Sequence, residues 1–208
     1  MHPGPVDMDE VYRAGAARFM EVARGLDDDE VRRPVPACPS WSVHDLLAHL
    51  AGSSTDHVEG RTEGAATPPW TARQVAARRG STTAELLAEW SRNVDAVATL
   101  CSSPAPNPAW DVSVHLDDLR EALGLPAGSR EEGWGTVLAA ALQLWERRAG
   151  ATVSIAEDGS DPGTTTWHLA TAYGLWRALF SRRDRPWLER EVLRGDVERF
   201  RRAAFFSD

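Results

Sequence analysis

Apolar residues recur at helical spacing through the first two thirds of the chain. Val11, Tyr12, Gly15, Phe19, Val22 and Leu26 trace one face, and the run ends in the acidic, proline-bearing LDDDEVRRPVPAC, which predicts a helix and then a loop. Ser42 with Asp45 three residues on has the form of a capping box, and Val43, Leu46, Leu47 and Leu50 supply the stripe of a second helix reaching Gly52 or a turn beyond. Between 53 and 80 the pattern is weak, punctuated by Gly60, Gly64, Pro68 and Pro69, with room for a short helix over 71–79. Thr82 or Thr83, with Glu85 or Glu89 in the first turns, caps a long helix carrying Leu86, Leu87, Trp90, Val94, Val97 and Cys101. After the proline-rich SSPAPNPAW, a further helix starts near Asn107 or Pro108. It keeps Val112, Leu116, Leu119 and Leu123 on one side and stops at Gly124, with Pro126 beyond.

Four amphipathic helices in series predict a mainly α fold, a four-helix bundle over 1–128. The texture then changes. A helix over 134–149, two short strands at 151–156 and 164–170 paired as a hairpin around EDGSDPG, and a helix over 173–183 predict a small α/β module over 129–208.

The 208 residues are 42% hydrophobic and 26% charged, the balance of a globular protein. No apolar run nears the ~20 residues that span a bilayer, and the start of the chain lacks the basic-then-apolar layout of a signal peptide, so a cytoplasmic protein without a membrane partner is expected. A net charge of -8 argues against a nucleic-acid partner. Small molecules fit better, bound by a monomer or a homodimer. All 23 basic side chains are arginine, which excludes lysine nucleophiles and Schiff bases within this chain. Cys38 and Cys101 lack metal-finger spacing and are read as reduced.

Helix phase points to the candidate chemistry. His49 flanks the stripe of the second helix, in line with Gly52, Ser53 and Asp56; Asp111, His115, Asp118 and Ala122 flank the stripe of the fourth. Two such flanks meet where neighbouring helices splay, and the small Gly52 and Ala122 would leave room for a ligand. Two neutral imidazoles and a carboxylate match the ligand set of catalytic zinc sites, and equally the facial triad of non-haem iron. His49, Asp111 and His115 are therefore candidate ligands of a divalent cation, zinc first, with nickel, manganese and iron as alternatives. The plain alternative is an edge histidine satisfied in the core and an (i, i+4) ion pair on a helix face. Asp118 either orients one of the two histidines or pairs with an arginine such as Arg120. His57 is a candidate extra ligand or acid/base. His44, on the opposite flank, is expected in solvent, His168 is structural, and Trp41 is core or pocket wall.

The segment CPSWSVHDLLAHLAG closely resembles the PGWTVRDLLAHLA-type signature of the mycothiol-dependent maleylpyruvate isomerase family, a branch of the DinB-like four-helix metalloproteins. LDDDEVRRPVPACPSWSV is similar to that family's approach to its second helix, DVSVHLDDLREALG to its fourth-helix signature, and TAYGLWRALFSRRDR followed by RGD to its C-terminal module; 53–105 is unmatched. The resemblance implies a DinB-like bundle whose metal is held by His49, Asp111 and His115, with aspartate standing where the isomerase has glutamate. The side chain is one methylene shorter, so the helices sit closer or the carboxylate works through water. It also implies that Arg182 grips an anionic substrate or thiol cofactor by a bidentate contact; a solvated arginine face is the competing reading.

The function implied is a metal- and mycothiol-dependent S-transferase or isomerase acting on a small electrophile. A metal-dependent hydrolase or lyase on the same scaffold, or a non-catalytic binding protein that has lost its metal, are the alternatives. Substrate choice is expected to lie in 53–105, because loops vary while the scaffold stays fixed.

Overall fold

The computed structural model describes residues 7–102, 107–159 and 163–205; the middle of the proline-rich connection and of the EDGSDPG turn lies outside them. The chain forms two compact units that divide between Gly133 and Trp134. The first is helical, and the second mixes helices with a small sheet. The short 3-10 turn Arg130–Glu132 belongs to the first unit, because Glu132 accepts from Arg120 at 2.5 Å and its carbonyl accepts from Arg18 at 3.1 Å.

In the first unit, α1 (Met8–Arg24) starts at an Asp7 cap and stops at Gly25. The stretch expected as loop forms a small antiparallel hairpin, β1 (Pro34–Val35) and β2 (Cys38–Ser42), with Val35 wholly buried. A two-residue strand between prolines is too short to leave a period in the sequence. Its end feeds directly into α2 (Val43–Val58), which opens on the predicted Ser42–Asp45 capping box and runs beyond Gly52 to Val58. In α3 (Pro68–Arg78) the two prolines occupy the first positions, where the missing N–H is no loss, so they start the helix three residues earlier than expected. The Thr82–Glu85 box opens α4 (Thr83–Ala98), and Cys101 lies on the 3-10 turn that follows it. Asn107 caps α5 (Pro108–Leu123), which ends at Gly124 with φ 70°, a left-handed cap that favours glycine.

Helices α1, α2, α4 and α5 make the bundle, with α3 laid against α2. Phe19, Leu46, Leu86, Trp90, Val112 and Leu119 are fully buried at its centre. Phe19 meets Trp90 edge-on at 5.3 Å, and the Trp90 indole N–H donates to the Tyr12 hydroxyl at 2.9 Å. This satisfies a polar atom that burial would otherwise penalise. Gly52 is the contact point of α2 with α3. A Cβ there would sit 2.7 Å from Gln74 Cβ, so the space expected for a ligand is filled by a helix.

The second unit comprises α6 (Trp134–Ala149), β3 (Val153–Ile155), β4 (Trp167–Leu169), α7 (Ala172–Leu179), α8 (Arg185–Glu191), β5 (Val192–Arg194) and α9 (Val197–Ala203). The expected hairpin is corrected here. β3 runs parallel to β4, pairing Val153 with Trp167, and β5 completes the β3-β4-β5 order antiparallel to β4. Alternation specifies which face a strand buries but not which way it runs, and 156–166 is long enough to bring the chain back alongside its start. Elements α8, β5 and α9 were not anticipated, although Asp184 and Asp196 cap the two helices. Trp145, Trp167 and Phe200, all fully buried and 5.1 to 5.7 Å apart, form this unit's core. Among the described residues, no helix is long and apolar enough to cross a membrane.

Candidate metal centre

His49 and His115 face each other from α2 and α5, their rings 5.1 Å apart and edge-on. Between them lies the Asp111 carboxylate, Oδ2 3.2 Å from His49 Nε2 and Oδ1 3.4 Å from His115 Nε2. All three potential ligand atoms lie within 4.8 Å of one another, so the shorter aspartate reaches both imidazoles. The histidines are almost fully buried, whereas Asp111 is 33% exposed and marks the open side. Trp41 of β2 packs on both rings, at 5.1 and 6.0 Å, and Trp70 of α3 closes on His49 at 6.1 Å.

Each imidazole is fixed from behind. His115 Nδ1 lies 2.8 Å from Oδ2 of the wholly buried Asp118, which settles on His115 rather than on Arg120. Arg120 pairs with Asp117 and Glu132 instead. His49 Nδ1 lies 2.8 Å from Gln74 Oε1 of α3, and Gln74 Nε2 donates at 2.8 Å to Asp56 Oδ2. Asp56 in turn accepts from Arg61 at 3.0 Å and meets Arg73 at 3.5 Å. Because a carboxylate accepts only, the Gln74 amide must turn its NH2 to Asp56 and its oxygen to His49. Both rings therefore carry the proton on Nδ1 and aim Nε2 at Asp111.

Electrostatics follows from this packing. Burial alone would raise the Asp111 carboxyl, but the charge and hydrogen bonds of His49 and His115 outweigh it and hold Asp111 well below the usual range. Burial pulls His115 down, while Asp111 and Asp118 more than reverse this, so its pKa is raised. Asp56 is lowered although burial opposes it, through Gln74, Arg61 and Arg73.

The remaining candidates are not among the three potential ligands. His57 Nδ1 donates to Ser53 O at 2.8 Å within α2, and its ring meets Trp70 edge-on at 6.0 Å; it is not part of the ligand group. Arg182 belongs to the second unit, where its guanidinium donates to Phe180 O at 2.9 Å. His44, expected in solvent, is half-buried with Nε2 2.8 Å from Ser81 O. His168 pairs with the Ser154 hydroxyl in the sheet, a structural place. Neither cysteine forms a disulfide; burial pushes the Cys101 thiol up to about 12, and Cys38 lies by His115 and Asp118.

Residues 12–127 match the family described as the mycothiol maleylpyruvate isomerase N-terminal domain. The chain belongs to that family. Comparison with curated proteins and with solved structures gives no significant match.

Within this maleylpyruvate isomerase-family domain, the residues that sequence reasoning missed are Gln74 and the backing role of Asp56. Asp56 was visible on the His49 line of α2. Gln74 was not, because it sits on the helix of the weakly patterned 53–80 stretch. Its one signal was a polar residue spaced four from Trp70 and one from Val75, on the face that α3 buries.

Proposed function

We propose that His49, Asp111 and His115 hold a divalent cation, zinc in the first instance, and that the protein uses it with mycothiol or a similar thiol on a small electrophilic metabolite. One observation carries the metal reading. With Nδ1 of both rings committed to acceptors, each Nε2 lone pair points at the Asp111 carboxylate, an arrangement that needs either two further protons or one divalent cation in the space between. Two buried imidazolium rings 5.1 Å apart repel each other, so one cation is the economical occupant. The donor set, two imidazoles and a carboxylate with an exposed side, fits a catalytic rather than a closed structural site. When bound, such a cation depresses the pKa of a thiol or water at the open position.

The chain's own residues supply the rest. Asp118 and Gln74 keep both Nε2 atoms aimed, Asp111 brings the negative charge, and Trp41 and Trp70 wall the site in apolar surface that excludes water. Membership of the mycothiol maleylpyruvate isomerase family supports the thiol as co-reactant. The chemistry is then S-transfer, or isomerisation in which the thiol S–H adds across an activated double bond and is eliminated again after rotation, regenerating the thiol. His57, with Nε2 as its remaining ring acceptor, is assigned a proton-carrying part.

Metal analysis of purified protein and thiol-adduct formation with a small electrophile test this. The expected result is one divalent cation per chain, lost together with thiol-adduct formation in His49→Ala. Protein without bound cation after metal supplementation, or unchanged adduct formation in His49→Ala, overturns it. Turnover that proceeds without added thiol would move the chain to the hydrolase or lyase reading.

A further inference from the structure

His49 and His115 are backed differently: His115 by a carboxylate, His49 by an amide. An amide can offer either end to an imidazole. Its oxygen selects the Nδ1–H tautomer, whose Nε2 lone pair is available to a cation; its NH2 group selects the opposite tautomer, whose Nε2–H excludes one. Something must choose. The buried Asp56 carboxylate, 4% exposed, does so by accepting from Gln74 Nε2 at 2.8 Å. Two guanidinium groups, Arg61 Nη2 at 2.9 Å and Arg73 Nη2 at 3.5 Å, keep that carboxylate charged.

We propose that Gln74 and Asp56 form a tautomer lock that makes His49 a metal ligand, with Gln74 as a positioning residue and Asp56 acting through it. The proposal rests on the metal reading above and concerns residues outside the ligand set. The geometry assembles it from three turns of chain. His49 and Asp56 share one flank of α2, Gln74 comes from α3, and Gly52 lies between them, admitting Gln74 Cβ where any side chain would stand 2.7 Å away. Asp56 stands outside the His49, Asp111 and His115 group and touches Gln74, Arg61 and Arg73 instead.

The test is competition titration of the metal-free full chain with zinc, together with the absorption spectrum of the cobalt-substituted protein. Gln74→Met keeps the volume and removes both hydrogen-bonding ends; an affinity loss of about 10–100-fold and a shifted cobalt spectrum are expected. The double variant Gln74→Glu/Asp56→Asn exchanges donor and acceptor, keeping an acceptor on His49 Nδ1 without setting two carboxylates 2.8 Å apart, and should restore affinity to within several-fold of the native protein. Asp56→Asn is isosteric but can accept or donate, so it releases the amide to turn and should lower affinity in the same direction by a smaller factor. Circular dichroism shows that each variant retains its helices. Native affinity in Gln74→Met or in Asp56→Asn overturns the lock, and so does a Gln74→Glu/Asp56→Asn protein as defective as Gln74→Met, which would mark a packing role only. Failure of the native protein itself to bind zinc or cobalt overturns the metal reading instead.

Discussion

Replacing Asp118 with asparagine isolates one charge at the centre without changing its shape. The carboxylate is wholly buried and its Oδ2 lies 2.8 Å from His115 Nδ1. In the metal-free protein burial disfavours the His115 imidazolium, but Asp111 and Asp118 outweigh it, and the pKa stands above the ordinary histidine value. A group raised on folding contributes stability that is full below its unfolded pKa and disappears as pH climbs through the folded one. Asp118→Asn therefore destabilises under acidic conditions and loses its effect under alkaline ones. A hydrogen bond to a charged group contributes about 1.5–3 kcal/mol, and Asp111 stays in place, so the loss at about pH 5.5 is set at about 1–2 kcal/mol. Near pH 9 the gap closes or reverses, because a buried carboxylate beside a neutral imidazole has no charge to compensate its desolvation. Urea denaturation in the presence of a chelator reads this directly. With a slope of ~2 kcal/mol/M, the acid-side difference is a midpoint shift of about 0.5–1 M. A gap equal at both pH values, or wider on the alkaline side, refutes the coupling of Asp118 to His115.

Three further outcomes are expected. Zinc at ~100 times its dissociation constant should stabilise the native chain by ~2.7 kcal/mol, raising Tm by roughly 5–10 °C in a thermal scan, with no response in His49→Ala; a zinc-independent native Tm counts against the centre. Gly52→Ala should cost about 1–3 kcal/mol in chemical denaturation, since the new methyl meets Gln74 Cβ at 2.7 Å, and a neutral substitution would show that α3 is not seated there. Gly195→Ala should cost at least about 2 kcal/mol, because φ is 119° and the added atom would stand 2.1 Å from Trp167 Cδ1; unchanged stability would contradict that backbone path.

Much of this molecule is written locally. The Ser42–Asp45 box and the Gly124 stop join residues close together in the chain and were legible from the sequence, whereas Thr82 or Thr83 with Glu85 or Glu89, and a start near Asn107 or Pro108, left the structure to select the Thr82–Glu85 box and the Asn107 cap. His49, Asp111 and His115 were also legible as a set, because helix phase places a residue at the flank of an apolar stripe whatever the stripe packs on. The sequence alone thus determined the four bundle helices, their buried faces and the three residues that converge, but not α8 or α9 of the second unit. Only the tertiary structure decided their partners. His49 finds Gln74 25 residues away because Gly52 admits α3, Asp118 takes His115 rather than Arg120, and β3 lies parallel to β4. The reason is physical: capping and periodicity are satisfied within a turn or two of chain, whereas the choice among distant acceptors, and the direction in which strands pair, depends on which surfaces fit when whole elements are brought together.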